Sequence, residues 1–268
     1  MGIDPQISHD HQLDWTAALA ALAWQVDLGV SEVVQEAPQN SFDLPDAAPW
    51  TRRAVDPVTP RPAVATPAVI FNTDPVAAAR AAADACATLA DLRDALTAFD
   101  LCEVKRGARN TVFADGNPAA RVMILGQAPG RDEDVEGRPL VGREGLLLDR
   151  MFAAIGLSRS NPDPACAIYV TPVMPWRPPG NRDPDPSELA MMRPFVERHI
   201  ALVDPELIVT LGNSPLLALT GGLAPRGSWG QVLGKPLMPM VHPSYLLRNP
   251  LAKREAWADL LQIKARLG

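Results

Sequence analysis

The chain has 268 residues, 47% of them apolar and 21% charged, with a net charge of −6. That profile is globular and excludes a wholly disordered or collagen-like chain. A pI near 5.2 excludes a protein that coats nucleic acid over its whole surface, but not one that grips it through a local patch. The charge is uneven. Residues 1–99 hold 5 Lys+Arg against 13 Asp+Glu, and residues 100–268 hold 20 against 18. Of those 20 cations 16 are Arg, the better residue for forked phosphate contacts.

Residues 10–29 read as an amphipathic helix, with Trp15, Leu19, Leu22 and Val26 at helical spacing. Such a helix docks on a core or on a protein partner, so residues 1–37 are expected to form an N-terminal helical segment. Residues 38–75 hold eight prolines among Arg, Ala, Val and Thr, the composition of an extended, flexible linker. One Ala-rich helix is expected from about 76 to 99, opening the main domain at 76–268. Cys86, Cys102 and Cys166 are widely spaced with no CxxC. This predicts reduced thiols and a cytoplasmic setting. No apolar run of about 18 residues predicts a membrane span. The first residues lack the basic start of a signal peptide.

From residue 121 the texture changes. Short apolar runs at 121–125, 167–171, 207–211 and 237–241 predict four strands. Helices are expected at about 143–155, 186–203, 213–220 and 251–267. Alternating strands and helices predict an α/β fold: a four-stranded parallel sheet covered on both faces. In such sheets the working residues lie on loops beyond the C-terminal strand ends. Each strand here ends in a distinctive loop. These are Gly126-Gln127-Ala128-Pro129-Gly130, then Pro172 leading to Pro178-Pro179-Gly180-Asn181-Arg182, then Gly212-Asn213, then His242-Pro243-Ser244-Tyr245-Leu246-Leu247-Arg248. The first is a tight turn that brings backbone N–H groups close to a ligand. The last sets an imidazole and a hydroxyl at a strand end.

Together, GQAPGRDED, GRPLVGREG, RPPGNR and HPSYLLR resemble the uracil-DNA glycosylase superfamily, closest to its iron–sulfur-containing family four. The resemblance covers about 110–268. It implies a three-layer α/β/α fold, DNA as partner, flipping of a base and hydrolysis of its N-glycosidic bond. It implies catalytic roles at Gln127, Glu133, Asn181 and His242. It places base contacts at Gln127, Ala128, Gly130, Leu140 and Pro172. Ser244 and Arg248 fall at phosphate-contact positions, and Leu246 at that of the wedge.

The sequence departs from that pattern inside the pocket. Gln127 stands where family four has an acid, and a neutral amide is no general base. Gln127 also resembles the GQDPY motif of family one, whose catalytic Asp follows the Gln; Ala128 stands there. Leu140 replaces a stacking Phe, and Pro172 replaces a base-reading Asn. Losing one good base-edge contact removes roughly 1–3 kcal/mol of discrimination. The family's four cluster cysteines fall on Phe99, Cys102, Trp176 and Met192, so no metal site and no iron–sulfur cluster is expected. Three functions fit the sequence. One is a glycosylase with weak or altered uracil specificity. Another is an inactive glycosylase fold that binds DNA or a protein. The third, an α/β domain for a small molecule, is opposed by the HPSYLLR loop.

Overall fold

In the computed structural model the described residues are 74–268, together with Leu19, Ala23 and Trp24. Those three are helical. The rest of the expected N-terminal helix, and all but the end of the Pro-rich stretch, lie outside the described residues.

Two helices open the domain, α1 (Pro75–Asp84) and α2 (Leu89–Ala98), where one was expected. The stop signal is Thr88. Its hydroxyl accepts from the Asp91 N–H at 3.1 Å, and the Asp91 carboxylate accepts from the Thr88 N–H at 2.8 Å. This reciprocal cap starts a new helix without any Gly or Pro.

Among the described residues the sheet has six strands, numbered in chain order and lying in the order β1-β3-β2-β4-β6-β5. Four are parallel and match the predicted runs: β2 (Val122–Gly126), β3 (Ile168–Pro172), β4 (Leu207–Leu211) and β6 (Lys235–Met240). The expectation of four strands in all is corrected by two short antiparallel edges, β1 (Asp115–Gly116) and β5 (Gly230–Val232). Two or three residues are too few to show an alternating pattern, so the sequence hides them.

Alternate residues of the central strands face opposite layers. Val122, Ile124, Val209 and Met238 pack with Leu148 and Phe152 of α4 (Gly142–Ala153) and with Leu260 and Ile263 of α8 (Lys253–Leu267). Met123, Leu125, Ile208 and Leu237 pack with Leu189, Val196 and Ile200 of α5 (Pro186–Val203) and with Leu216 and Leu219 of α6 (Asn213–Thr220). The result is three layers. The remaining helices are short. The first, α3 (Arg131–Glu136), follows the loop after β2, and α7 (Pro243–Arg248) follows β6.

A third apolar cluster joins α1, α2, α5 and the loop after β3. Phe99, Cys102, Trp176 and Met192 meet in it, each nearly or wholly buried, beside Phe113, Met174 and Phe195. Phe99 sits edge-on to Phe195 with ring centroids 5.3 Å apart. The Trp176 indole N–H donates to the Thr111 hydroxyl at 3.1 Å.

Candidate active site

Strand order places the site. The chain runs from β2 out to β3 and then crosses to β4 on the other side of β2. Ligands bind at such a reversal, beyond the strand ends. A cavity of about 770 Å³ lies there. Its wall includes Gln127, Ala128 and Gly130 after β2, Pro172 at the end of β3, and His242, Ser244, Leu247 and Arg248 after β6. Glu133, Leu140 and Asn181 line it as well. The end of β4 supports it from below. Gly212 has φ +83°, and a Cβ there would meet Gln127 Nε2 at 2.5 Å, so only glycine lets the amide lie over this strand end.

The loops are fastened by charged groups that accept or donate to backbone. Glu133 accepts from the Gly130 N–H at 3.0 Å and from the Val141 N–H at 3.1 Å. Both carboxylate oxygens therefore tie the two pocket loops together. Glu133, expected as a catalytic residue, is held in the wall by these two backbone contacts. Arg159, only 13% exposed, donates to the carbonyls of Pro139 and Leu140 at 3.2 Å each. It also pairs with Asp149 at 2.7 Å and Asp115 at 3.2 Å. The clamp holds Leu140 at φ +49°, an unusual conformation for a leucine that needs such support. Asn181, at φ +55°, accepts from Arg177 at 2.6 Å and is exposed at the rim.

His242 caps α7 with its own ring. The Ser244 N–H donates to His242 Nδ1 at 3.3 Å, and the Ser244 hydroxyl lies 2.9 Å from the same nitrogen. A backbone N–H can only donate, so Nδ1 holds a lone pair and the neutral ring carries its proton on Nε2. That nitrogen has no protein partner among the described residues. Burial, aided by the Arg248 guanidinium, holds the imidazole down at about 4. Glu144 Oε2 lies 3.8 Å from Nδ1, which is not an ion pair while the ring is neutral. Burial and the Glu133 charge push the Glu144 carboxyl up, against the pull of Arg248.

Leu246 is the residue that the family resemblance sets at the wedge position. It is fully buried beneath α7, in the core with Met240 and Leu260. The next residue, Leu247, lines the cavity and is half-buried. Helical rotation decides this: successive residues point about 100° apart. Sequence reasoning also missed Arg131, Arg143 and Glu144 on the cavity wall and Arg159 behind it. Arg131, Arg143 and Arg248 are exposed and form no ion pair among the described residues. No local pattern in the sequence singles out Glu144, because the group it faces, His242, lies on another element.

The uracil DNA glycosylase superfamily model matches residues 113–261. A type-4 uracil-DNA glycosylase of Saccharolobus solfataricus is 33% identical over 179 residues, covering 62% of this chain and 80% of that protein. One of Thermotoga maritima is 36% identical over 154 residues, covering 55% and 77%. The chain belongs to the uracil-DNA glycosylase superfamily, in its family four. Of this glycosylase-family chain's three cysteines, only Cys102 falls on the family's four-cysteine iron–sulfur pattern. Cys102 is buried, and burial pushes its thiol up, away from the thiolate that binds metal. Phe99, Trp176 and Met192 supply no thiolate, so the donor set does not fit the cluster. Among the described residues no group of three or more His, Cys, Asp or Glu is placed to hold a metal ion.

The second buried imidazole is His199. It shares a hydrogen bond of 2.9 Å with the Tyr169 hydroxyl and stacks on Phe113 at 4.6 Å. Burial, with Arg93 nearby, holds it down at about 3. Both histidines titrate below the ordinary value of 6.5. Below pH 6.5 the unfolded chain therefore binds protons that the folded chain refuses, and stability falls with pH. The expected loss averages about 1 kcal/mol per pH unit for each histidine between pH 6.5 and 5, steepening as the unfolded histidine becomes fully protonated. Urea midpoints across that range check this; a flat profile contradicts the buried neutral rings.

Proposed function

We propose that this protein is a DNA-repair glycosylase, extruding a base and hydrolysing its N-glycosidic bond with weak or altered uracil specificity. The observation that carries this is His242. It is a neutral imidazole, fixed by α7, with its Nε2 proton free at a cavity the size of a ligand site. Such a proton can stabilise the charge that grows on a leaving base. Arg131, Arg143 and Arg248, which form no ion pair among the described residues, suit phosphates at the mouth. Leu247 is the apolar side chain in position to enter the base stack. We infer that apolar packing of Phe99, Trp176 and Met192 stands in for the family's cluster.

A second reading is a DNA- or protein-binding module without catalysis. Gln127, Leu140 and Pro172 favour it, since the acid, aromatic and amide of the family positions are all replaced. An excision assay on a panel of damaged bases, in single- and double-stranded DNA, separates the two. Excision of any base supports the enzyme, and tight binding with no excision supports the module.

Binding itself is expected to respond to three leucine and arginine changes in different ways. Leu247→Ala should weaken duplex binding by up to about 1.5–3 kcal/mol, the value of burying a leucine side chain, because the apolar wedge is lost. Arg248→Ala should weaken it too and lower the salt slope by about 1. Leu246→Ala should instead destabilise the fold by about 2–5 kcal/mol, because it empties a core position. Titrations at several salt concentrations, with melting curves, check this set. Wild-type binding by both Leu247→Ala and Arg248→Ala would remove DNA from the reading.

A further inference from the structure

On the glycosylase reading, the cavity needs a carboxylate beside the sugar, and the family's position for it holds Gln127, a neutral amide. Four carboxylates line the cavity: Asp132, Glu133, Glu144 and Asp183. Glu133 has both oxygens bound by the Gly130 and Val141 amides. Asp132 and Asp183 are exposed at the mouth. Glu144 is half-buried and accepts no hydrogen bond among the described residues. Its Oε2 is 3.8 Å from His242 Nδ1. One imidazole ring therefore separates this free carboxylate from the Nε2 proton.

The geometry points to Glu144 as the carboxylate that serves hydrolysis in place of Gln127, a role on α4 rather than on the loop after β2. An acid in a helix's first turn often does no more than complement the dipole. Glu144 differs because it faces a second element, the His242 cap of α7, across a cavity wall. Partial burial also makes it a stronger base than an ordinary surface carboxylate.

The step balances as follows. The C1′–N bond breaks and its electron pair leaves with the base, whose charge accepts a hydrogen bond from His242 Nε2–H. The sugar is left cationic, next to the Glu144 charge. Water adds its oxygen to C1′ and gives one proton to Glu144. That proton returns through solvent to the departed base, so the products are a C1′ hydroxyl and a neutral base. No oxidant, reductant or metal is consumed.

The test is single-turnover excision on the best base of the panel, with DNA affinity measured for every variant. Glu144→Gln is nearly isosteric and should lower the rate at least about 100-fold while affinity holds. Glu144→Asp keeps the charge but retracts it, and should fall between the two. It also serves as the second variant should Gln disturb folding, which melting curves will show. Gln127→Glu added to Glu144→Ala should recover much of the rate, because a carboxylate returns to the cavity from the other wall. A Glu144→Gln rate within about threefold of wild type overturns the role of Glu144 and leaves the glycosylase reading standing. A wild type that binds DNA and excises no base overturns both.

Discussion

His242→Ala is expected to lower single-turnover base excision by about 10²–10³-fold, the usual cost of removing one donor aimed at developing negative charge. Duplex affinity should change little, since the ring's work is on the leaving base. Rate and affinity together make the prediction specific, because a merely structural histidine would lose both. The ring is neutral at pH 7, with its imidazole held down at about 4. It therefore donates from Nε2 without carrying a formal charge into the cavity. His242→Gln is the informative partner. Its amide can donate in the same direction but gives α7 a weaker cap, so it should retain more activity than alanine and still melt lower than wild type. Excision unaffected in His242→Ala would move the leaving-group donor elsewhere on the wall.

The second large effect falls far from the cavity. Trp176→Ala should cost about 3–5 kcal/mol of stability, the range for emptying a buried aromatic site. Trp176 is 1% exposed among Phe99, Cys102, Met174, Met192 and Phe195. It also donates to Thr111 at 3.1 Å. Removing it leaves a cavity where α2, α5 and the loop after β3 meet, and leaves a polar partner unpaired. Cys102→Ser should be much milder in volume but adds a buried hydroxyl, a cost of roughly 1–3 kcal/mol. Iron chelators should leave the urea midpoint of wild type unchanged. A midpoint that drops on chelation, or a Trp176→Ala protein as stable as wild type, would contradict the apolar cluster as the source of cohesion.

The parallel strands were legible because each is a continuous apolar run, and Val122–Gly126 is buried on both faces. Helix ends were legible where chemistry marks them. Pro186 after Asp185 starts α5, and the bounds of α5 and α6 match the expected ones. The break between α1 and α2 was not, because a Thr88–Asp91 cap is a pairwise feature rather than a compositional one. The members of the site were mostly legible, since Gln127, Ala128, Gly130, Leu140, Pro172, Asn181, His242, Ser244 and Arg248 all line one cavity. Their tasks were less so. Motif position shows that Glu133 belongs to the site but not that two amides occupy its oxygens. Leu246 and Leu247 are chemically identical and adjacent, and only the rotation of α7 tells which is buried. Glu144 and Arg159 carry no local signature, because their partners lie on other elements.

Seating Leu246 wholly in the core has a mechanical consequence. It pins α7 between the His242 cap and the hydrophobic layer beneath. The element that would meet the double helix is thus stiff before contact, and little ordering entropy is lost there on binding. On the proposed reading the bending and unstacking then fall to the nucleic acid alone. Steps that kink readily, such as TA and CA, become the easiest entry points. Preference among lesions would follow the local softness of the duplex as much as the identity of the base.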